Sequence, residues 1–124
     1  MEQIIEDIDK FKSWIEDDIV FCIYKKDCII TFEDAKKMVQ ARLKAQKGAS
    51  YPGLAYVAER VTITPDARKY FANEGYEGVT KVALITLSPL KVIIANIFIK
   101  IDKPLKPTRL FTNKEEAVRW LKKL

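Results

Sequence analysis

Adjacent carboxylate pairs are the residues best suited to acid–base chemistry, because the sequence contains no histidine. Three of these pairs are Asp17-Asp18, Glu33-Asp34 and Glu115-Glu116. A general acid or base has to be held in place within reach of a substrate. The first pair separates two β-rich runs and is typical of a turn, whereas the other two fall in the first turn of a predicted helix, where acids stabilise the helix dipole. We therefore expect none of them to be catalytic and predict that the protein is not an enzyme.

The two cysteines are the next candidates for chemistry. Cys22 lies in an apolar run between Phe21 and Ile23, which predicts a core position, and Cys28 lies near a loop with nothing beside it to activate a thiol. Without histidine, Ser-His and Cys-His nucleophile pairs are excluded, and two thiols cannot form a structural zinc site. Dinucleotide-binding, phosphate-loop and nucleophile-elbow motifs are missing from the sequence. We expect no metal, no cofactor and a reducing compartment.

Length and composition indicate one globular domain over residues 1–124. Hydrophobic residues make up 48% and charged residues 31% of the chain, as in folded proteins. The 22 basic and 17 acidic residues give a net charge of +5, which is too small to indicate nucleic-acid binding without a stacking motif. The first residues do not resemble a signal peptide, and no apolar run is long enough to span a membrane. We therefore predict a cytoplasmic protein with no nucleic-acid partner and no integral membrane segment.

The elements that must position any site alternate along the chain. Predicted strands cover residues 11–16, 19–25, 51–58, 79–87 and 108–111. Predicted helices begin after Thr31, Thr64, Ser88 and Thr112, of which the last belongs to a capping box with Glu115. The order β-β-α-β-α-β-α-β-α predicts an α/β fold: a mostly parallel sheet of about five strands, an antiparallel N-terminal hairpin and four helices.

The first predicted helix has an apolar stripe and a basic surface. Phe32, Ala35, Val39 and Leu43 recur at helical spacing and are expected to face the core. The basic residues between them, including Arg42, are expected to face solvent.

Residues 90–101 form the most unusual segment, because nearly every position is apolar. Its valines, isoleucines and phenylalanine favour a strand, but Ser88-Pro89 suits a helix start and the alternation of elements requires a helix. We predict a helix that is apolar on more than one side. It is either buried between the sheet and its neighbours, or it offers a homodimer face, a pocket for a lipid-like ligand, or a membrane contact. The residues for a ligand or dimer face are Ile94, Ile97, Phe98 and Ile101.

The order of elements and several short motifs together resemble STAS-like (SpoIIAA-like) domains, in particular a group of small bacterial stand-alone proteins. The matching motifs are Trp14-Ile15-Glu16-Asp17, Ala35, Arg42-Leu43, Ser50-Tyr51-Pro52, Ala67-Arg68-x-Tyr70, Ser88-Pro89, Lys103-Pro104, Pro107-Thr108 and Leu110-Phe111-Thr112. The resemblance implies the STAS-like fold. Antagonists of this family carry a phosphorylatable serine where residues 62–66 stand here, and that motif is absent.

The resemblance and the residues lead to two functional hypotheses. The first is a non-catalytic binding or regulatory module that acts through protein contacts, including self-association. Its predicted contact surface is the rim where the second and third helices begin, because helix N-termini offer free amides to an anion. That rim comprises Thr62, Thr64, Arg68, Ser88 and Lys91. The alternative is a carrier of a small apolar, lipid-like ligand that uses the helix at 90–101.

Overall fold

The computed structural model of the chain describes residues 5–86 and 88–123. The strands are β1 (Ile5–Ile8), β2 (Phe11–Glu16), β3 (Ile19–Tyr24), β4 (Cys28–Ile30), β5 (Tyr51–Val57), β6 (Val61–Ile63), β7 (Val79–Ile85) and β8 (Thr108–Phe111). The helices are α1 (Phe32–Gln46), α2 (Pro65–Ala72), α3 (Pro89–Ile97) and α4 (Lys114–Lys122). A short 3-10 helix (Glu74–Tyr76) precedes β7, and a π-helical turn (Phe98–Asp102) continues α3.

Six strands form the main sheet in the order β1-β2-β3-β5-β7-β8. The first three pair antiparallel, and β3, β5, β7 and β8 pair parallel. The α/β class, the N-terminal hairpin and the four helices are therefore confirmed. The β2–β3 hairpin turns at Asp17-Asp18, where both residues have positive φ, as a tight hairpin turn requires.

The strand count differs from the predicted five in two places. β1 adds a sixth strand to the main sheet, and β4 and β6 form a separate two-stranded parallel sheet. β1 was missed because it contains acids and none of its residues is fully buried, so that only its pairing with β2 reveals it as a strand. β6 has three residues and lies where no strand was predicted.

The two faces of the main sheet are covered by different helices. Phe11, Val20 and Met38 belong to the core on the side of α1 and α2, and Ile19, Leu54 and Leu121 belong to the core on the side of α4. The central strand β7 contributes Val79 to the first core and Ala83 and Ile85 to the second. β7 is therefore covered on both faces, and it ends at Ile85.

The helix starts confirm one predicted cap and correct another. The Thr31 hydroxyl accepts a hydrogen bond from the Asp34 amide at 3.2 Å, and the Asp34 carboxylate accepts one from the Thr31 amide at 3.0 Å. At α4 the predicted Thr112 cap is wrong, since the Asn113 side chain accepts the hydrogen bond from the Glu116 amide at 3.0 Å. Thr112 and Asn113 are both good capping residues, and the path of the chain after β8 places Asn113 at the N-cap position.

The basic surface predicted for α1 is wrong at Arg42, which is only 5% exposed. Its guanidinium donates to the carbonyl oxygens of Gly75 at 3.0 Å and Glu77 at 2.8 Å, and to the side chain of Gln46. The segment before β7 therefore lies against this side of α1 and removes Arg42 from solvent. The predicted stripe is also wrong at its first position, because Phe32 is exposed.

The apolar segment at 90–101 is helical, as predicted against its strand propensity. It connects the parallel strands β7 and β8, and such a connection needs a crossover, usually a helix. The α-helix ends at Ile97, and the π-helical turn extends to Asp102, where Lys103 adopts a positive φ and ends it. Leu87, the predicted end of the strand at 79–87, and Leu124, the predicted end of the last helix, lie outside the described residues.

Candidate functional site

A cavity of about 120 Å³ lies between the main sheet, α2 and α3. Strands β3, β5 and β7 form its floor, and Phe71, Ile94 and Phe98 are among the helical residues that line it. Most of the lining is aliphatic or aromatic. Such a lining suits an apolar ligand.

Small side chains in the sheet and in α3 make room for the cavity. Gly53 lies in the middle of β5 and on the cavity wall. A Cβ at this position would lie 3.5–3.7 Å from the methyl groups of Val79, Val20 and Val82, so a side chain would occupy part of the space between these strands. Ala55 on β5 and Ala95 on α3 also line the cavity with a single methyl group each.

Three basic side chains line this otherwise apolar cavity: Arg42, Arg68 and Lys91. Arg68 donates from Nε to the Asp102 carboxylate at 2.9 Å, and the Asp102 side chain is only 3% exposed. Burial lowers the pKa of Lys91, because desolvation disfavours its charged form. Each cation thus reaches the cavity from a different helix, namely α1, α2 or α3.

The structure brings together only part of the predicted contact rim. Arg68 and Lys91 line the same cavity, whereas Thr62, Thr64 and Ser88 are outside its lining. The Thr64 hydroxyl donates to the Asp66 carboxylate at 2.6 Å and makes no cap, although Thr64 does occupy the N-cap position of α2. Thr62 is exposed on β6. The backbone amide of Ser88 donates to the Thr86 hydroxyl at 3.3 Å.

The predicted apolar residues of α3 divide between two surfaces. Ile94 and Phe98 face the cavity. Ile101 is 68% exposed and Ile97 is half-buried, and neither lines the cavity. The helix is thus apolar on both its inner and its outer side, as its composition indicates.

Neither thiol is activated for nucleophilic chemistry. Burial raises the pKa of Cys22 to about 11, and its sulfur contacts the Ser13 hydroxyl at 3.8 Å. Burial also raises the pKa of Cys28, which donates to the Lys25 carbonyl oxygen at 3.2 Å. Both sulfurs are therefore protonated at neutral pH, and thiols are poor nucleophiles.

The three carboxylate pairs make structural contacts in the fold. Asp17 forms an ion pair with Lys122, and Glu33 forms one with Lys36 at 3.1 Å. The Asp34 carboxylate accepts hydrogen bonds from the Thr31 amide at the start of α1 and from Lys10 at 2.8 Å. Glu115 and Glu116 lie in the first turn of α4, as predicted. Within residues 5–86 and 88–123, no group of three or more potential metal ligands from Cys, Asp and Glu comes together.

Sequence reasoning missed Arg42 and Gly53 as residues of the cavity. Arg42 stands among exposed lysines of α1, and its contact with Glu77 is made across 35 positions of sequence. Gly53 lies in the strand that was predicted over residues 51–58, but nothing in that stretch marks it as part of a cavity wall. No local pattern distinguishes either residue, because the elements that surround them are distant in sequence.

Comparison with known proteins gives one family and one fold. The family model described as "Domain of unknown function (DUF7793)" matches residues 13–124. The crystal structure of an uncharacterized protein from the DUF3478 family of Shewanella loihica PV-4, described as having a SpoIIAA-like fold, is similar with a TM-score of 0.54. The two chains are 18% identical, and the match covers 97% of this chain and 92% of the other. A search of curated proteins finds no significant match.

The structural match confirms the fold expected from the sequence motifs. At this level of identity the likeness concerns the fold and not the activity. No helix in the described part of the chain has the length and apolar character needed to cross a membrane.

Proposed function

The chain belongs to the DUF7793 family, and we propose that its SpoIIAA-like fold serves as a non-catalytic binding module for a small apolar ligand. The observation that carries this proposal is the apolar cavity between the sheet, α2 and α3. An apolar ligand bound there would remove these apolar walls from water, which favours binding.

The size of the cavity limits the ligand. An engineered cavity of about 150 Å³ accommodates benzene, so a space of about 120 Å³ holds a small ring or a few carbons of an alkyl chain, and a longer chain continues through its open side. Lys91 is half-buried, with its side chain on the cavity wall, and it indicates the side from which a ligand can enter. This proposal corresponds to the carrier hypothesis from the sequence, with the inner side of α3 as the binding surface.

Native mass spectrometry after gentle purification tests the proposal. We expect the wild-type protein to retain a small apolar molecule or to bind added octan-1-ol, and an Ala95→Leu variant to lose most of this binding because the larger side chain fills the cavity. An Ala49→Leu variant is the matched control, since Ala49 is exposed and lies outside the cavity lining. A wild-type protein that retains no ligand and gives no saturable signal with octan-1-ol would refute the proposal.

A second candidate function is the regulatory module that acts through protein contacts. It is supported by the exposed apolar residues on and after the outer side of α3: Ile93 at 58%, Ile101 at 68% and Leu105 at 65%. Exposed apolar patches often mark protein interfaces. We propose that a second copy of the chain covers this surface in a homodimer. Light scattering of the wild type and of an Ile101→Glu variant tests for this dimer. A wild type that remains monomeric at about 0.1 mM, a concentration at which even weak dimers form, contradicts self-association.

A further inference from the structure

The charges on the cavity wall are all of one sign. Arg42, Arg68 and Lys91 line the cavity, and among the described lining residues none is an aspartate or a glutamate. A cavity for a neutral hydrocarbon has no need of three cations, and holding cations beside apolar surface costs free energy unless they are paired. The positive charges on the cavity wall therefore bear on the chemical class of the ligand.

Two of the three cations already have partners in the protein. Arg68 forms its ion pair with the buried carboxylate of Asp102, at 2.9 Å. Arg42 donates to the Gly75 and Glu77 carbonyl oxygens and to Gln46, which satisfies hydrogen bonds but leaves its charge without a carboxylate.

Lys91 is the remaining cation. No ion pair or side-chain hydrogen bond joins it to another residue in the described ranges, although its side chain is half-buried on the cavity wall. The surrounding cavity wall also contains the Tyr24 ring.

We propose that the ligand of this cavity is a small amphiphile with one carboxylate, whose head group binds Lys91 while its apolar part lies between Ile94, Phe98 and the sheet. This inference rests on the proposed function, because it names the chemical class of the ligand in the same cavity. One carboxylate matches the one unpaired ammonium, and Arg42 adds a positive field from α1. A few carbons of the apolar part fill the volume of about 120 Å³.

The environment of Lys91 supports this assignment. Its ammonium has lost part of its hydration to burial, which lowers its pKa, and among the described residues no carboxylate opposes this shift. A bound carboxylate supplies the missing counter-charge and the missing hydrogen-bond acceptor together. Charge-assisted hydrogen bonds in partly desolvated sites are roughly twice as strong as neutral ones.

Isothermal titration calorimetry of octanoate and octan-1-ol at pH 7 tests the inference. The two probes share an alkyl chain and differ in the head group, and octanoate is fully ionised at this pH. We expect octanoate to bind about tenfold more tightly than octan-1-ol, the ratio that corresponds to one additional charge-assisted contact. In a Lys91→Met variant, which keeps the apolar stem of the side chain, we expect this preference to disappear while octan-1-ol still binds.

A Lys100→Met variant is the control, because Lys100 is exposed in the π-helical turn after α3 and does not line the cavity. It removes the same charge and should keep the octanoate preference. Equal binding of both probes to the wild type overturns the carboxylate assignment and leaves the apolar binding module standing. An octanoate preference that survives in Lys91→Met overturns the role of Lys91. Binding of neither probe rejects both the inference and the proposed function.

Discussion

Replacing Arg42 with methionine tests whether this buried guanidinium holds α1 to the segment before β7. Arg42 is only 5% exposed and makes three hydrogen bonds, to Gly75, Glu77 and Gln46. Gln46 in turn donates to the carbonyl oxygens of Ala49 at 2.9 Å and Gly78 at 2.8 Å. The two side chains therefore form one network between the end of α1 and the residues that lead into β7.

The expected loss follows from the number and type of these bonds. A hydrogen bond to a charged group contributes about 1.5–3 kcal/mol, and each buried acceptor left unpaired costs about 1–3 kcal/mol. The gain from no longer burying a charge offsets several kcal/mol of this sum. We therefore expect Arg42→Met to lower the free energy of unfolding by about 3 kcal/mol. With an unfolding entropy of about 2.1 cal/mol/K per residue, that loss lowers the melting temperature by about 11 °C.

Urea denaturation with constant m-value measures this loss. An Arg42→Lys variant should recover less than half of it, because an ammonium cannot donate in the forked geometry of guanidinium. Lys37→Met is the matched control, since Lys37 is exposed on the same helix, and its change should stay within about 0.5 kcal/mol. A loss of less than about 1 kcal/mol in Arg42→Met, or one equal to that of the control, would show that the network does not stabilise the fold in this way.

Three further predictions concern stability and are checked by thermal unfolding. Gly78 and Gly48 both have positive φ, but a Cβ at Gly78 would lie 3.0 Å from side-chain atoms of α1, whereas nothing lies within 4 Å at Gly48. Gly78→Ala should therefore be at least about 1 kcal/mol more destabilising than Gly48→Ala, and equal losses would contradict the steric argument. Gly53→Ala should stabilise the protein by about 1 kcal/mol, because the added methyl meets its neighbours at contact distance and restricts the unfolded chain; a loss would mean that β5 cannot accept a side chain there. Asp34 has its pKa lowered from 3.8 mainly by the hydrogen bond from Lys10, so it stabilises the fold above that pH and ceases to do so as the pH falls. At pH 7 we therefore expect Asp34→Asn to melt at a lower temperature than the wild type. This difference should shrink as the pH falls from about 5 to about 2, and a difference that does not change with pH would contradict the prediction.

Local signals in the sequence predicted the starts of several elements. Thr31 caps α1 because its own hydroxyl and Asp34, three residues on, satisfy each other's amides. Ser88-Pro89 begins α3 because proline fixes a φ that suits the first turn. At α4 the prediction of Thr112 as the cap was wrong. Thr112 and Asn113 can both cap a helix, and the sequence offers no basis to prefer one.

Contacts between elements decided the features that the sequence did not reveal. The strand β1 exists because it pairs with β2, opposite Trp14 at one end and Phe11 at the other. β4 and β6 are short segments that form a sheet only by pairing with each other. The burial of Arg42 depends on a segment more than thirty positions away, which hydrophobic periodicity cannot report.

The sequence by itself determined the α/β class, the hairpin, the four helices and the apolar character of the segment at 90–101, because these follow from propensity, caps and the order of elements. Only the tertiary structure decided that this segment encloses a cavity with one side and exposes the other. It also decided that three cations from three helices line that cavity. The physical reason is that a cavity and its charge are properties of surfaces brought together from distant parts of the chain, and no single stretch of the sequence contains them.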